Sequence, residues 1–372
     1  MNAVALTQEL VRIKTVNPHD PERPAAQRAG KLLEDAGWSV SMYDFAPGRT
    51  SLVARREGSS SAAPLCFAGH HDTVPLGAAP WSHQPFAGEL AGDRLYGRGS
   101  SDMKSGVAAI VAAALQLSRA KLRGAGITVV LVAGEETGCE GAAHLARTPS
   151  ALGRGSALVV AEPTGNQPVV GHKGALWLRA RVRGVTAHGS MPERGVNAVV
   201  KAARAVLKLA ELKFDVAPDP ILGSPTVNVG TFAGGLNVNS VPDEAVIGID
   251  LRTVPAQRHA QVRAQLAELL GPDVELVPIV DLEGIRTDPS DPFVRTTMDA
   301  IREVTGEQPR AGTATYFTDA SVLTPAYGGV PTVVLGPGEM ALCHQTDEWC
   351  SAARIDQAVE TYLRIARGWC EA

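Results

Sequence analysis

The sequence is short of the features that mark several classes of protein. Its five cysteines are odd in number and form no CxxC pair. That pattern argues against a disulfide framework and against a thiolate zinc site, so they are interpreted as reduced thiols. No stretch approaches the ~18 consecutive apolar residues of a membrane-spanning helix. We therefore expect a cytoplasmic protein with no membrane partner.

A strong net charge is also lacking. The chain has 35 Lys and Arg against 39 Asp and Glu, a formal net charge of -4. Such a balance gives no general attraction to phosphate, so nucleic acid is not expected as a partner. The glycine-rich loop at 97–106 does not place a glycine before Lys104-Ser105, as a phosphate-binding loop would, and no GxSxG nucleophile motif occurs.

Apolar runs alternate with helix-period segments over the first part of the chain and again near its end. At 372 residues and 45% hydrophobic composition, we expect two domains. The predicted buried strands are PLCFAG at 64, ITVVLVAG at 127, ALVVAE at 157 and PTVVLG at 331; the predicted helices are 104–120 and 352–368, the latter with Ile355, Val359, Tyr362 and Ile365 on one face. This alternation predicts an α/β fold with a mostly parallel sheet between helices.

The pattern changes between these two regions. ALWLRARVRG at 175 alternates apolar and polar residues, as a strand with one solvated face does. The elements predicted after it are a helix at 194–211, strands at 225–232 and 244–251, a helix at 256–270 and a strand at 273–280. The order βαββαβ is that of a ferredoxin-like domain. We therefore expect an insertion at 174–283 within a domain formed by 1–173 and 284–372.

Polar residues follow five of the apolar or glycine-rich segments. They are His70 and Asp72 in GHHDTVP, Asp102 in GRGSSDMKSG, Glu135 and Glu136 after ITVVLVAG, Glu162 at the end of ALVVAE, and His344 in CHQTDE. Ligands collect beyond the carboxyl ends of the strands in open α/β sheets, which is where these residues are predicted to lie.

Each of these residues also has a purely structural interpretation. Asp102 could cap a helix, Glu135 and Glu136 could favour a helix N-terminus, and His70 or His344 could be a hydrogen-bonded loop histidine. Their combination favours chemistry, because two imidazoles and three carboxylates suit a pair of divalent ions. Zinc is the first expectation, with cobalt or manganese as alternatives.

A two-metal site needs a bridging carboxylate between ions ~3.5–4 Å apart and a base that is not a ligand. Neighbouring side chains at the end of a strand point in different directions, so one of Glu135 and Glu136 can hold metal while the other faces the water. Asp72 is placed to fix the tautomer of His70. His71 is interpreted as structural.

The motifs resemble those of the zinc peptidase and deacylase family that includes acetylornithine deacetylase, succinyl-diaminopimelate desuccinylase, carboxypeptidase G and aminoacylase. GHHDTVP is similar to the family's GHxDxVP, GRGSSDMKSG to its GRGxxDMKG, and GEETGCEG to its acidic pair followed by glycine. AEPTGNQPVVGHKG and CHQTDE resemble the acetylornithine deacetylase branch. The resemblance covers nearly the whole chain.

The resemblance implies a role for each residue. Asp102 would bridge two ions and precede a cis peptide to Met103, His70 and Glu162 would complete one site, Glu136 and His344 would complete the other, Glu135 would be the general base, and Asp72 would orient His70. The implied reaction is attack of a water, deprotonated by Glu135, on an amide carbonyl, followed by proton transfer to the leaving amine.

The family uses the inserted domain for dimerisation, so the resemblance implies a homodimer. His188 in GVTAHGS and Asn239 in NSVPD would stabilise the oxyanion, with His188 reaching into the partner's site. Arg252 in DLRTVP would receive the substrate carboxylate. The structural alternatives are a turn histidine and a surface salt bridge. Gly338, in the loop before His344, is predicted to line the substrate site.

The implied function is removal of an acyl group from a small N-acyl amino acid. A metallo-carboxypeptidase or dipeptidase would use the same ions and the same arginine, and a catalytically silent metal-binding module is the alternative from another class. Glu135 argues against the silent module, which needs no base. Departures from the family pattern occur at His71, Ser105 and Phe317-Thr318-Asp319. Glu162, where carboxypeptidase-like members carry aspartate, favours the deacylases.

Overall fold

The computed structural model of the protein describes residues 2–370. Its internal contacts divide the chain into two compact units. Unit 1 comprises the chain up to Gly171, Arg286–Thr313 and the chain from Thr318 onward, and unit 2 comprises His172–Ile285 and Ala314–Phe317. The sequence pattern did not indicate that Ala314–Phe317 belong to unit 2. They do so through Phe317, whose ring packs edge-on against Trp177 with 6.0 Å between centroids.

The elements of the chain are numbered in sequence order. Those before the second unit are α1 (Ala3–Arg12), α2 (Arg23–Asp35), β1 (Ser39–Ala46), β2 (Arg49–Arg56), β3 (Leu65–His70), β4 (Glu89–Ala91), β5 (Arg94–Tyr96), α3 (Ser105–Leu117), β6 (Ile127–Val132), α4 (Glu140–Arg147), β7 (Ala157–Val160) and β8 (Val169–His172). Those that follow are β9 (Gly174–Arg183), α5 (Ala198–Ala210), β10 (Thr226–Gly234), β11 (Glu244–Thr253), α6 (His259–Leu270), β12 (Val274–Leu282), β13 (Ile285–Arg286), α7 (Pro292–Thr305), β14 (Gly312–Ala314), α8 (Ala320–Ala326), β15 (Thr332–Val334), β16 (Trp349–Ser351) and α9 (Ala352–Cys370).

The large sheet has the strand order β1-β2-β6-β3-β7-β15-β8-β13, with β14 paired to β8. Its four central strands, β6, β3, β7 and β15, run parallel to one another. All residues of β3, β6 and β7 are buried, as expected of parallel strands that are covered on both faces. The predicted α/β fold with a mostly parallel sheet is therefore confirmed.

The hairpin of β1 and β2 was not predicted. These strands pair antiparallel with each other, and β2 pairs antiparallel with β6. β1 is partly exposed along its length and carries Ser39, Ser41 and Asp44, so it lacks the apolar run that identifies a buried strand. Gly48 turns the chain between them with a φ of 77°, a conformation that glycine adopts without strain.

The parallel strands bring the predicted site residues to one edge of the sheet. His70 is the last residue of β3 and is in register with Val132, the last residue of β6. Glu135 follows β6 by three residues and Glu162 follows β7 by two. Because parallel strands end at the same edge, residues far apart in sequence become neighbours there.

Helices α3 and α9 pack inside unit 1 as the sequence predicted. Helix α3 is buried except near its C-terminal end, and Gly106 in it lies so close to the end of strand β7 that an added Cβ would lie 2.2 Å from the Ala161 carbonyl oxygen. The predicted inward face of α9 is buried, with Ile355, Tyr362 and Ile365 fully so. These contacts fix the helix that begins directly after the Asp102 loop.

Unit 2 contains a four-stranded antiparallel sheet in the order β10-β11-β9-β12. Buried residues of helices α5 and α6 form a single core with the inward side chains of the sheet. The predicted βαββαβ order is confirmed. Helix α5 begins at Ala198, later than predicted, because Asn197 caps it by accepting a hydrogen bond from the Val200 amide at 3.0 Å.

A small antiparallel sheet of β16, β5 and β4 joins the first segment of unit 1 to its last segment. It places Glu348, which precedes β16, beside the glycine-rich loop that follows β5. Among residues 2–370, no helix has both the length and the apolar character needed to cross a membrane.

Candidate metal centre

One group of possible metal ligands comprises His70, Asp102 and Glu162. His70 Nε2 lies 3.2 Å from Asp102 Oδ1 and 3.7 Å from Glu162 Oε2. His70 and Glu162 are buried, and the Asp102 side chain is 13% exposed. The donor atoms of the three residues lie within 4.8 Å of one another, close enough to hold a single ion.

The second group shares Asp102 with the first. His344 Nε2 lies 3.5 Å from Asp102 Oδ2 and 3.2 Å from the Glu136 carboxylate. The donor atoms of these three residues also lie within 4.8 Å of one another. Since each oxygen of Asp102 faces a different histidine, its carboxylate is placed to bridge two ions.

The two groups together contain an excess of negative charge in a buried setting. Burial alone would lower the pKa of His70, but the Glu162 and Asp102 carboxylates reverse this and hold it well above its ordinary value. Hydrogen bonds to Asp102 and Glu136 raise the pKa of His344 to about 10. Burial, together with the Asp102 charge, raises the pKa of Glu136 to about 7. Protons thus offset part of the negative charge of these carboxylates when no metal is bound. Cations would offset it more completely.

The residues fit a pair of divalent ions. Glu162 Oε1 is buried and has no hydrogen-bond partner among residues 2–370. A buried carboxylate oxygen without a donor is costly unless a cation meets it. The donors are imidazole nitrogen and carboxylate oxygen, the set preferred by zinc and neighbouring ions.

Glu348 positions Asp102, the residue shared by the two ligand groups, and sequence reasoning assigned Glu348 no role. It is fully buried, and its Oε1 accepts hydrogen bonds from the amides of Ser101 (2.8 Å) and Asp102 (3.0 Å). Its Oε2 accepts from the Gly99 amide at 3.0 Å and from Arg98 Nη1 at 2.6 Å. The carboxylate therefore organises the loop that carries Asp102. The peptide bond between Asp102 and Met103 is cis, as the family resemblance implied.

Asp72 contacts the backbone of the acidic pair. Its Oδ1 accepts from the Glu135 amide and its Oδ2 from the Glu136 amide, both at 3.1 Å. His70 Nδ1 lies 3.0 Å from the main-chain oxygen of Asp72 but 3.6 Å from its carboxylate. The His70 ring is thus oriented by the Asp72 carbonyl, whereas the Asp72 carboxylate fixes the segment that contains the two glutamates.

A buried hydrogen-bond chain extends from Asp72 towards the N-terminus. Asn17 Nδ2 donates to Asp72 Oδ2, and Asn17 Oδ1 accepts from Arg49 Nη2 at 2.9 Å. Arg49 Nε in turn lies 2.8 Å from both oxygens of Glu22, which is fully buried. Because Asn17 has one oxygen and one nitrogen to offer, the arginine on one side fixes which group faces Asp72. Sequence reasoning did not identify Asn17.

Glu135 lies beside the two ligand groups without belonging to either. It is 5% exposed. Burial and the nearby Glu162 charge raise its pKa well above the ordinary value of a carboxyl group. A carboxylate that takes up a proton readily is suited to accept one from water and to pass it on.

Asp319 is a further buried acid that the sequence comparison with the family matched only loosely. Neither of its carboxylate oxygens has a hydrogen-bond partner in the described residues, and burial raises its pKa to about 8. Its charge interacts with that of Glu135, so it contributes to the raised pKa of the predicted base. The sequence indication for Asp319 was the Thr-Asp pair, but the glycine that precedes this pair in the family pattern is absent.

Other predicted residues lie in unit 2 or have structural explanations. His188 and Asn239 are exposed neighbours in unit 2, with the Gly189 amide donating to the Asn239 oxygen at 2.7 Å. Arg252 lies on strand β11 of the same unit. Gly338 packs so closely that an added Cβ would lie 2.1 Å from the Ser101 oxygen, which explains a glycine there without a ligand. His71 is buried, and burial lowers its pKa to about 3.

The chain is similar in sequence to known amide hydrolases. The profile of Peptidase family M20/M25/M40 matches residues 66–368. An acetylornithine deacetylase from Myxococcus xanthus is 32% identical over 98% of this chain and 97% of its own length. A succinyl-diaminopimelate desuccinylase from Cereibacter sphaeroides is 30% identical over 99% of both chains.

Solved structures show the same fold at lower sequence identity. An M20 family metallo-carboxypeptidase from Sulfolobus solfataricus superposes with a TM-score of 0.81 at 16% identity, over 98% of both chains. A tripeptidase from Staphylococcus aureus superposes with a TM-score of 0.78 at 21% identity, over all of this chain and 98% of that one.

Proposed function

The chain belongs to Peptidase family M20/M25/M40 and is an amidohydrolase, and from this premise we propose that it removes the acyl group from an N-acyl amino acid. The observation that carries the proposal is the pair of ligand groups joined through Asp102, with Glu135 next to them and outside both. The relatives named as deacetylase and desuccinylase align over nearly the whole chain. Their sequence identities of 32% and 30%, against 16% for the carboxypeptidase and 21% for the tripeptidase, favour a deacylase over a carboxypeptidase or dipeptidase.

Two divalent ions are proposed to bind at the centre, one held by His70, Asp102 and Glu162 and the other by Asp102, Glu136 and His344. Zinc is our first proposal, because two imidazoles and three carboxylates without a thiolate match its preferences, with cobalt or manganese as alternatives. When bound, such ions supply Lewis acidity to the amide carbonyl and to a water molecule.

Glu135 moves the proton in the proposed mechanism. It accepts a proton from the attacking water as the new carbon–oxygen bond forms at the amide carbonyl. It then delivers that proton to the nitrogen of the leaving amine as the carbon–nitrogen bond breaks, giving a carboxylic acid and a free amino acid. The hydrogen bonds that Asp72 accepts from the Glu135 and Glu136 amides hold the base in register with its neighbouring ligand.

Three residues of unit 2 are proposed to handle the substrate. His188 and Asn239 would donate hydrogen bonds to the developing oxyanion, which is consistent with their exposure and adjacency. Arg252 would receive the carboxylate of the amino acid, since a guanidinium binds a carboxylate through two parallel hydrogen bonds. These roles follow the family resemblance of their motifs.

A homodimer is proposed for the same reason. β10 is an edge strand, and it carries the exposed Phe232 (44%), while Val200 (47%) and Leu207 (65%) are exposed on α5. A second copy would cover them. Light scattering would give the oligomeric state. Mixing inactive His188→Ala and Glu135→Gln proteins tests the exchange of His188: hybrid dimers should restore about a quarter of the sites, whereas no recovery would show that each protomer uses its own histidine.

Hydrolysis of a substrate panel tests the proposed function. Metal-stripped protein, alone and with added zinc or cobalt, is given N-acetyl amino acids, N-succinyl amino acids, dipeptides and acyl-glutamates. Metal-restored cleavage of one acyl-amino-acid class supports the proposal and names the substrate group. Cleavage of dipeptides alone would make the protein a peptidase, and binding of two ions without any cleavage would indicate a silent module.

The cytoplasm is the proposed location. All five cysteines are free thiols, and four of them are buried. A chain whose buried thiols remain unpaired is suited to a reducing compartment. Fractionation of the source cells with antibody detection would test this.

A further inference from the structure

The uncovered face of the unit 2 sheet carries a cluster that the proposed function leaves unexplained. Along β11 the residues alternate between buried and partly exposed, so Asp250 and Arg252 share the face opposite the helices. Trp177 of β9 is directly opposite Asp250 in the register of the sheet. Phe317 completes the cluster by packing against Trp177. We call Arg252, Asp250, Trp177 and Phe317 the Arg252 cluster.

Asp250 binds one edge of the Arg252 guanidinium. Arg252 Nε lies 2.9 Å from Asp250 Oδ1, and Arg252 Nη2 donates to Asp250 Oδ2 at 3.2 Å. Two parallel contacts between planar groups fix both the position and the plane of the guanidinium. The remaining nitrogen, Nη1, has no hydrogen-bond partner in the described part of the chain. The edge formed by Nη1 and Nη2 is therefore free to meet a second carboxylate.

Trp177 supports the ion pair of Asp250 and Arg252 from the neighbouring strand β9. Its indole Nε1 donates to Asp250 Oδ1 at 2.9 Å, and its ring lies 5.6 Å from the Arg252 Cζ atom. The indole thus contacts both members of the ion pair, one by a hydrogen bond and one by a cation–π interaction. Phe317 packs edge-on against the indole and limits its rotation.

Two other arginines of the same sheet show that this is not an ordinary surface pairing. Arg181 Nε lies 3.8 Å from Glu244, and Arg183 Nη2 lies 3.6 Å from Glu275. Both contacts are single and long, and the Arg183 pair is largely exposed. Exposed pairs of this kind contribute little to stability and leave the side chain mobile. Arg252 alone among the three has a bidentate acid and an aromatic support.

We propose that Asp250 is a positioning residue that fixes Arg252 for the α-carboxylate of the substrate, and that the site thereby selects N-acyl amino acids with a free α-carboxylate over their amides. The inference rests on the proposed function through the role of Arg252. A guanidinium that is already ordered loses less conformational entropy when it binds a carboxylate. The indole N–H shares Asp250 Oδ1, so part of that negative charge is already compensated and Arg252 keeps its attraction for an incoming anion.

Asp250→Asn is the variant that tests the inference. It keeps the size of the side chain but removes its charge and one acceptor from Arg252. KM for N-acetylornithine should rise about tenfold while kcat changes less than about twofold, as expected when a ground-state contact is weakened. KM for the α-carboxamide of the same compound should not change, because that substrate offers Arg252 no carboxylate. Trp177→Phe, which keeps a ring but removes the N–H donor, should raise KM for the acid by about two- to threefold.

Glu244→Gln is the matched control. It removes the acid that faces Arg181 on the same sheet and should leave both substrates unaffected. Equal effects of Asp250→Asn on the acid and the carboxamide would show a general structural role and overturn the inference, as would no effect on either. Thermal unfolding of each variant identifies any failure to fold, in which case Trp177→Phe carries the test.

A binding experiment separates this inference from the proposed function. Calorimetry with the zinc-loaded Glu135→Gln protein, with and without Asp250→Asn, measures affinity for the acid and the carboxamide without turnover. Weaker binding of the acid alone supports the positioning role even if the wild-type protein hydrolyses a different acyl class. Failure of the whole substrate panel with normal discrimination by calorimetry would overturn the deacylase proposal and not the role of Asp250.

Discussion

Each unit of the molecule buries a histidine against carboxylates, and the two sites differ in how well their charges are matched. In unit 1, His70 lies among Asp102, Glu162 and the neighbouring acids, and Glu162 Oε1 has no partner in residues 2–370. In unit 2, His259 Nδ1 lies 2.6 Å from Asp281 Oδ1 and its Nε2 lies 2.7 Å from Thr253 Oγ1.

In the unit 2 network, both ring nitrogens of His259 and both carboxylate oxygens of Asp281 have partners. Arg263 pairs with the second oxygen of Asp281, and the His259 amide donates to Glu283 at 3.0 Å. The order Thr, His, Asp is that of a nucleophilic triad, but Thr253 is fully buried. Its hydroxyl has no access to a substrate, so the network secures the start of α6 to the strands instead. A histidine that faces one carboxylate, itself paired with an arginine, is structural, whereas one surrounded by several uncompensated acids indicates a site for cations.

Glu135→Gln gives the strongest test of the unit 1 site. Glutamine keeps the shape of the side chain but cannot accept a proton, so kcat should fall by about 10³-fold or more. Zinc content, measured by atomic emission, should stay unchanged because Glu135 belongs to neither ligand group. A variant with near-normal turnover would remove Glu135 from the mechanism.

Asn17→Ala tests the hydrogen-bond chain that supports Asp72 in unit 1. It deletes the side chain that links Arg49 to Asp72, so the segment carrying Glu135 loses part of its support. We expect kcat to fall about tenfold with zinc content unchanged. Asn166→Gly is the control, since it removes another buried asparagine while tolerating the φ of 61° found there. Equal losses in both proteins would mean that the effect is general destabilisation.

His259→Leu tests the structural nature of the unit 2 network. It leaves Thr253 and Asp281 without their partner, which should lower the free energy of unfolding by about 2 kcal/mol in urea titrations. The kcat of the folded protein should stay within about twofold of the wild-type value. Arg263→Gln removes only a partly exposed partner and should cost less than about 1 kcal/mol. Loss of turnover without loss of stability would reverse the assignment.

The pH dependence of stability should differ with and without metal. The raised pKa of Glu136, from 4.5 to about 7, means that the folded metal-free protein holds a proton that the unfolded chain releases, so its stability falls as pH rises through this window. The raised pKa of His344, from 6.5 to about 10, acts in the same direction at higher pH.

Zinc held by these ligands would replace the protons, so its binding should strengthen as pH rises. The increase in Tm on zinc addition should be larger at about pH 8 than at about pH 5.5, by roughly 5 °C. Scanning calorimetry of stripped and loaded protein measures it. An increase that is independent of pH would show that the ligands are not protonated in the metal-free protein.

The amino-acid sequence predicted the central strands, the α3 and α9 helices and the βαββαβ order. These features depend on local apolar periodicity, which is visible in any single stretch such as ITVVLVAG at 127. It also indicated His70, Asp102, Glu136, Glu162 and His344 as a group, because all lie after predicted strands or in the glycine-rich loop and their chemistry is complementary.

How those side chains are held depends on the folded chain and could not be predicted from local sequence. Asn17 and Glu348 lie far in sequence from the residues they support, and neither forms part of a local pattern that indicates a partner. The same holds for the Asp72 carboxylate, which binds the glutamate backbone rather than His70. A hydrogen bond between distant residues depends on where the fold brings two backbones together. Periodicity records which face of a strand is buried, but it carries no information about the atom that will meet that face.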